Sequence, residues 1–328
     1  VRAAILSAYG QPPEVGERQE PQGDAGTAVV ELAAAALNPA DLAIASGSFP
    51  AGSPPLPYVP GIEGVGRVVR SSRFAPGTRV WASGRGLGVA RDGAFAERFA
   101  VADEVLIEVP DDVGDVVAAA LGQVGLAAVV PLSWLAPVEP GEAVLVLGAT
   151  GSVGTVAVQV AKLLGAGRVV AAGRNARRLE SLRALGADAT VVIGDGDLRE
   201  RLDAAADGSP PSLVLDLLWG APLEAAVAVA APGARIVHVG QSAGPSASLH
   251  SGHVRGKQLR VFGYSNFAVP LEELARGYAF LLAHAAAGRI RLAIEALPLE
   301  AVSEAWERQR RGSDAKLVLV PRGDRYKL

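Results

Sequence analysis

The stretch Val144-Leu-Val-Leu-Gly-Ala-Thr-Gly-Ser-Val-Gly154 decides how this chain is read. An apolar run with β-branched residues enters a turn of spaced glycines, and an apolar-periodic segment, Ser152–Leu164, follows at once. That order predicts strand, tight turn and helix. Gly151 lets the backbone approach a pyrophosphate with no Cβ in the way, and Gly154 lets helix and strand pack closely. The helix N-terminus offers free N–H groups and the positive end of its dipole. Thr150, Ser152 and Val153 complete the expected phosphate loop. A bare Gly-x-x-Gly is a weak signal, and the strand before it and the helix after it give it weight.

The next strand speaks to the coenzyme. A domain that binds NAD usually places an acid about 20 residues past the glycines, on the ribose 2′-hydroxyl. Here the run Val169-Val-Ala-Ala172 ends in Gly173, followed by Arg174-Asn-Ala-Arg177-Arg178. A carboxylate there would repel a 2′-phosphate, whereas a guanidinium binds one in a forked geometry. The alternative is a solvated helix start, but cations there oppose the helix dipole. The expectation is NADPH, with Gly173, Arg174 and Arg177 setting the choice and Arg178 ranked lower. With Arg174 and Arg177 both replaced by alanine, an added Gly173→Asp is expected to recover NADH affinity through the ribose hydroxyls while repelling the 2′-phosphate.

Around this core the strand-like runs are Ala143–Leu147, Arg168–Ala172, Thr190–Ile193, Leu213–Leu218, Arg235–Val239 and Leu259–Phe262. Helical patterns separate the first five. Two of those helices stop before Gly165 and Gly186, as helix C-termini prefer. The α/β alternation predicts a doubly wound parallel sheet of the Rossmann type. Ligands bind outside the carboxyl ends of such strands. Val239, Gly240 and Gln241 after the fifth strand, and Phe262 and Gly263 at the end of the sixth, are therefore expected at the nicotinamide. Upstream, short β runs (Ala28–Leu32, Gly66–Val69, Arg79–Trp81, Phe95–Val101) lie among Gly and Pro and predict an irregular β domain. The proline-rich loop Phe49–Gly61 is long enough to suggest function.

Composition bounds the rest. The chain has 328 residues, no cysteine, four histidines and a formal charge of −3. Disulfides and thiolate metal sites are impossible, and no metal is expected. The charge gives no case for nucleic acid. The apolar run Val116–Leu135 is broken by Gly122, Gln123, Gly125 and Pro131, so no membrane span of about 20 apolar residues is expected. A cytoplasmic location is the expectation.

Further motifs are Asn38-Pro-Ala-Asp41 with Ser46-Gly47, Pro60-Gly-Ile-Glu-Gly-Val-Gly66, Gly93-Ala-Phe-Ala-Glu97, Ala118-Ala-Ala120 to Gly125-Leu-Ala127, and Lys316-Leu-Val-Leu319. In order and spacing, with the glycine turn, they resemble the zinc-free quinone oxidoreductase branch of the medium-chain dehydrogenase/reductase superfamily over nearly the whole chain. The resemblance implies a GroES-like substrate domain made of residues 1–117 and 268–328. A Rossmann domain would span 118–267, with the nicotinamide in the cleft between them. It also implies a homodimer, paired through the sixth strand, whose open edge would otherwise be exposed. Zinc-dependent relatives carry a histidine where this chain has Ile62, and zinc chemistry is excluded on ligand grounds. Ala43 stands where such reductases often place a tyrosine proton donor, and Ala127 where a threonine is common.

Asn38 is expected at the cofactor or substrate, with Asp41 beside it in a catalytic role; both are otherwise turn residues around Pro39. Glu63 is read as structural. Gln123, in an apolar run, must hydrogen-bond to something, either the nicotinamide ribose or amide or a backbone group at the helix turn. Tyr264 is the substitute acid on offer. His250 and His253 read as surface residues, and Arg310 as a possible neighbour of the cofactor. The expected activity is NADPH-dependent hydride transfer to a conjugated carbonyl, a quinone or an enone. Reduction of a simple ketone or imine, and NADPH binding without catalysis, are the alternatives.

Overall fold

The computed structural model describes residues 1–49, 52–194 and 196–321. They form two compact units: Val1–Gln123 with the chain from Leu292 onward, and Val124–Arg291. The second unit ends later than the expected 267. The helix over 271–286 belongs to it because Gly277 lies against Val129, Val130 and Leu126, where even a Cβ would come within 3.0 Å of both valines.

The first unit is β-rich. Strand β1 (Arg2–Ile5) pairs antiparallel with β2 (Glu14–Glu17). The long β3 (Thr27–Ala36) leads into the short helix α1 (Pro39–Ile44), then β4 (Glu63–Arg70), β5 (Arg79–Ser83), β6 (Arg98–Ala102), β7 (Leu106–Glu108) and helix α2 (Asp115–Ala120). β3 lies between β4 and β6, and its pairing with β4 shifts register twice, which twists the sheet. Gly66 allows that close approach, since a Cβ there would stand 2.1 Å from the Glu31 carbonyl oxygen. Leu6, Tyr58, Ile62, Phe95 and Phe99 fill the core. The loop from Phe49 is thus anchored at its far end, and Pro50 and Ala51 lie outside the described residues.

The second unit opens with helix α3 (Gln123–Val130, its first residue still in the first unit) and alternates strand and helix: β8 (Ala143–Leu147), α4 (Ser152–Leu163), β9 (Arg168–Gly173), α5 (Ala176–Arg183), β10 (Ala189–Val192), α6 (Leu198–Ala206), β11 (Leu213–Asp216), α7 (Gly220–Val229), β12 (Arg235–His238), α8 (Ser251–Gly256), β13 (Arg260–Gly263) and α9 (Leu271–Ala286). All neighbouring strands run parallel, in the order β10-β9-β8-β11-β12-β13. The inner strands are almost wholly buried, which is why they read as continuous apolar runs. Gly165 and Gly186 take left-handed φ of 98° and 112° just past α4 and α5, as the sequence predicts. The strand order reverses between β8 and β11, the switch point at which such sheets bind ligands.

The chain then returns to the first unit as β14 (Ile294–Pro298), α10 (Val302–Arg311) and β15 (Lys316–Val320). β15 pairs with β14 on one side and β3 on the other, completing the sheet β14-β15-β3-β4-β5-β7. Every residue of β15 is buried, including a lysine at its head. Among the described residues no helix is long and apolar enough to cross a membrane.

Candidate functional site

In the second unit, β8 ends at Leu147 and the chain turns through Gly148 with φ of 82°. A Cβ at Gly148 would come within 3.1 Å of Leu217 and Leu218, so this turn glycine, to which the sequence pattern assigns no role, answers to both conformation and space. The first helical hydrogen bond of α4 runs from the Thr155 N–H to the Gly151 carbonyl at 2.8 Å. The N–H groups of Ser152, Val153 and Gly154 therefore have no helical partner. Gly154 is buried, and a Cβ there would lie 2.4 Å from the Gly148 carbonyl oxygen and 2.5 Å from the Ala149 Cα. Gly151 differs: a Cβ on it would meet only the Gly148 oxygen, at 3.5 Å. Nothing in the protein needs glycine at 151, whereas a phosphate approaching the helix end does.

β9 ends in Gly173, and Arg174 and Arg177 are exposed beyond it. No carboxylate among the described residues pairs with either. Asn175 caps α5 by accepting from the Arg178 N–H at 3.1 Å, and Arg178 is half-buried. Gly173 has a second reason to be glycine that its sequence context does not reveal. A Cβ there would stand 2.8 Å from Thr150 Cγ2 and 2.9 Å from Oγ1. A side chain at 173 would therefore have to displace Thr150 before it could reach a ribose.

Val239 and Gly240 follow β12 and both donate to the Asp216 carbonyl, at 2.8 and 3.3 Å, with Gln241 exposed next to them. Asp216 does not stand out in the sequence. Fully buried at the end of β11, its carboxylate accepts from the Leu218 and Trp219 N–H groups and faces His238 Nδ1 at 3.3 Å. Burial holds its pKa above the usual carboxylate value. Phe262 is half-buried and Gly263 exposed at the end of β13. Tyr264 turns inward. Its hydroxyl lies 2.6 Å from Asn266 Oδ1 and 3.2 Å from the Leu126 carbonyl, and burial raises its pKa. To donate a proton to a substrate, this less acidic phenol would first have to leave those two oxygens. His250 caps the small helix α8 and His253 lies on it, where desolvation first, and then the neighbouring His250, Lys257 and Arg199, disfavour a charge on His253.

In the first unit, Asn38, Asp41, Glu63 and Lys316 form one buried network, each at most 3% exposed. Lys316 Nζ donates to the Leu37 carbonyl at 2.8 Å and to Asn38 Oδ1 at 2.6 Å. Asn38 Nδ2 donates onward to Glu63 Oε1 at 2.8 Å and to the Ala36 carbonyl at 3.0 Å. An amide suits this place because one end accepts from a cation while the other donates to an anion. Glu63 Oε2 accepts from Trp81 Nε1 and from the Gln123 N–H, at 2.9 and 2.8 Å. Asp41 sits at the third position of α1 and takes the Asn38 and Ile62 N–H groups, at 2.8 and 3.0 Å. Burial pushes the Asp41 carboxyl up to about 7 against those two bonds, raises Glu63, and lowers Lys316 to about 8. The Asn38 amide hydrogens and the Asp41 carboxylate are thus engaged inside the unit. In this arrangement both side chains hold neighbouring segments of the unit together. The Gln123 side chain donates to Ser83 Oγ at 2.6 Å, and Ser83 to the Ile62 carbonyl. Arg310, expected as a cofactor neighbour, pairs with Glu307 and the Gly10 carbonyl.

Two family models match, one described as alcohol dehydrogenase GroES-like domain over residues 24–111, the other as zinc-binding dehydrogenase over residues 152–278. The chain is 27% identical to human quinone oxidoreductase over 89% of its own length and 88% of that protein. A solved quinone oxidoreductase from Pseudomonas syringae pv. Tomato DC3000 superposes with a TM-score of 0.85 at 27% identity, covering 98% of this chain and 99% of that one. A stretch taking in 69% of the chain is 32% identical to a phenolphthiocerol/phthiocerol polyketide synthase of Mycobacterium tuberculosis, and spans only 10% of that much longer protein. The chain belongs to the medium-chain dehydrogenase/reductase superfamily of oxidoreductases, as a quinone oxidoreductase-like member. One family description names zinc, yet this sequence has no cysteine and Ile62 is a core residue.

Proposed function

We propose that the protein is an NADPH-dependent, metal-independent reductase of conjugated carbonyl compounds, quinones ahead of enones. The observation that carries this is the set of polar groups the chain offers. It has no thiolate ligand, Ile62 is buried in the core, and the Tyr264 hydroxyl is spent on Asn266 and Leu126. With no such group to polarise an isolated ketone, the acceptor must spread the incoming charge itself. When bound, NADPH supplies a hydride. A quinone that accepts it becomes a stabilised hydroquinone anion, which takes its proton from water. An enone gives a more basic enolate and depends more on an enzyme acid. The test is NADPH oxidation with a quinone, an enone, an enoyl thioester and a saturated ketone, each with and without chelator. Quinone turnover that withstands chelation supports the reading. Turnover only of the ketone, or only with zinc, contradicts it. Tight NADPH binding with no turnover would mark a binding protein.

The preference for NADPH rests on Arg174 and Arg177, exposed and unpaired with any described carboxylate beyond the end of β9. Replacing both by alanine is expected to weaken NADPH binding by about 10²-fold, the scale of two charge-assisted hydrogen bonds after solvent screening. NADH binding should barely change. Calorimetric titration of both coenzymes measures this, and equal losses for both would reduce the arginines to helix-surface charge.

We also propose a homodimer. Among the described residues β13 pairs with no strand but β12, and Val261 on it is 44% exposed. An apolar open edge favours pairing with a second copy. Light scattering at micromolar concentration should give twice the chain mass, and a monomer there refutes the assignment.

A further inference from the structure

We infer that Thr150 is a specificity-determining residue for the coenzyme, because its side chain occupies the space that an acid at position 173 would need. The inference rests on the NADPH reading for its coenzyme consequence. Its steric part stands on geometry alone.

Gly173 lies in regular strand, paired with Val192, and its φ is not left-handed, so the backbone does not require glycine there. Space does. An ideal Cβ on Gly173 would meet Thr150 Cγ2 at 2.8 Å, Oγ1 at 2.9 Å and Cβ at 3.4 Å. Rotating the threonine gives no relief. Its two γ atoms share three staggered positions, and two of those face Gly173, so every rotamer leaves at least one atom there. The backbones have little freedom to separate either. The Gly148 and Ala149 N–H groups both donate to the Ala172 carbonyl at 2.9 Å, tying the phosphate loop to β9 one residue before Gly173. On the other side the Ile193 N–H donates to the Gly173 carbonyl at 2.8 Å.

An acid that reads the ribose hydroxyls stands at the end of this strand and must begin with the Cβ that Thr150 excludes. The phosphate loop and the coenzyme-choosing position are therefore coupled. With threonine at 150 the end of β9 stays bare, and the 2′ position is left to Arg174 and Arg177. An acid at 173 requires a smaller residue at 150.

The experiment compares wild type, Thr150→Ala, Gly173→Asp and the double variant, by thermal unfolding and by titration with NADH and NADPH. Gly173→Asp alone should lower the melting temperature and gain no NADH affinity. Adding Thr150→Ala should restore much of the melting temperature. It should also tighten NADH binding relative to Gly173→Asp by roughly tenfold, the scale of one charge-assisted hydrogen bond. If Gly173→Asp does not fold, Gly173→Ala with and without Thr150→Ala carries the steric comparison by melting temperature. Equal stability and equal NADH affinity in Gly173→Asp and the double variant would overturn the inference. So would restored stability without the gain in NADH affinity, which makes Thr150 a packing residue only. A wild type that binds both coenzymes equally, while the stability coupling and the NADH gain persist, would refute the NADPH reading and leave the steric pair standing.

Discussion

Gly154→Ala is expected to destabilise the protein by about 1–3 kcal/mol or more and to lose dinucleotide binding with it, whereas Gly151→Ala should fold normally and lose binding alone. The two glycines are three residues apart in one turn and differ in what surrounds them. At Gly154 a methyl would lie 2.4 and 2.5 Å from backbone atoms of Gly148 and Ala149, which have no rotamer by which to give way. The start of α4 would have to lift from β8, moving the N–H groups that would receive the phosphates of a bound coenzyme. At Gly151 the nearest atom to a new methyl is 3.5 Å away, an ordinary contact. The φ and ψ of −79° and 167° suit any L-residue, and alanine is only a weaker N-cap. On the proposed reading, what the methyl would meet there is the coenzyme's phosphate. Thermal unfolding and coenzyme titration of both variants separate the two cases. If Gly151→Ala binds as wild type does, no phosphate approaches that backbone and the nucleotide assignment fails.

The phosphate turn was legible in the sequence because its causes are local. A strand, a glycine turn and a helix follow one another within a few residues, and Gly165 and Gly186 mark helix ends by their own conformation. The parallel sheet was legible for a similar reason, since strands covered on both faces must be apolar throughout. Side-chain direction and long-range partners were not. Tyr264 reads as an available hydroxyl until its inward hydrogen bonds are seen. Gly173 reads as a missing acid, and only its distance to Thr150, in the preceding turn, shows that an acid would not fit. Asn38 and Asp41 read as candidates for the cofactor cleft because they frame the Asn38-Pro-Ala-Asp41 motif that the family resemblance picks out. Their partner Lys316 is 278 positions from Asn38 along the chain. The signal was a single lysine heading the apolar run Lys316–Val320, where a lone charge has to be paired.

Lys316→Met is expected to cost about 3–5 kcal/mol near neutral pH, the loss that follows when one partner of a buried charge group is removed. Methionine fills a similar volume, so the effect reports charge more than cavity. It leaves Glu63, fully buried, without the cation that Asn38 links to it, and Asp41 with one counter-charge fewer. The cost should depend on pH in a way a packing defect would not. In wild type Asp41 titrates near 7 in the fold, well above its unfolded value. The folded state then holds the extra proton between the two, and this group's contribution to stability falls as pH rises through that window. Lys316 is displaced the other way, to about 8. The unfolded chain holds the extra proton above that point, and its contribution rises with pH toward the unfolded lysine value. Below about 7 the Asp41 carboxyl takes up a proton and needs the lysine less; above about 8 the lysine loses its charge. The penalty of Lys316→Met should therefore be greatest between these two values and shrink on both sides. Urea unfolding of wild type and variant from pH 5 to 9, followed through tryptophan fluorescence, measures it. A penalty of the same size at every pH would mean that Lys316 acts through packing, and that its charge contributes nothing to the network.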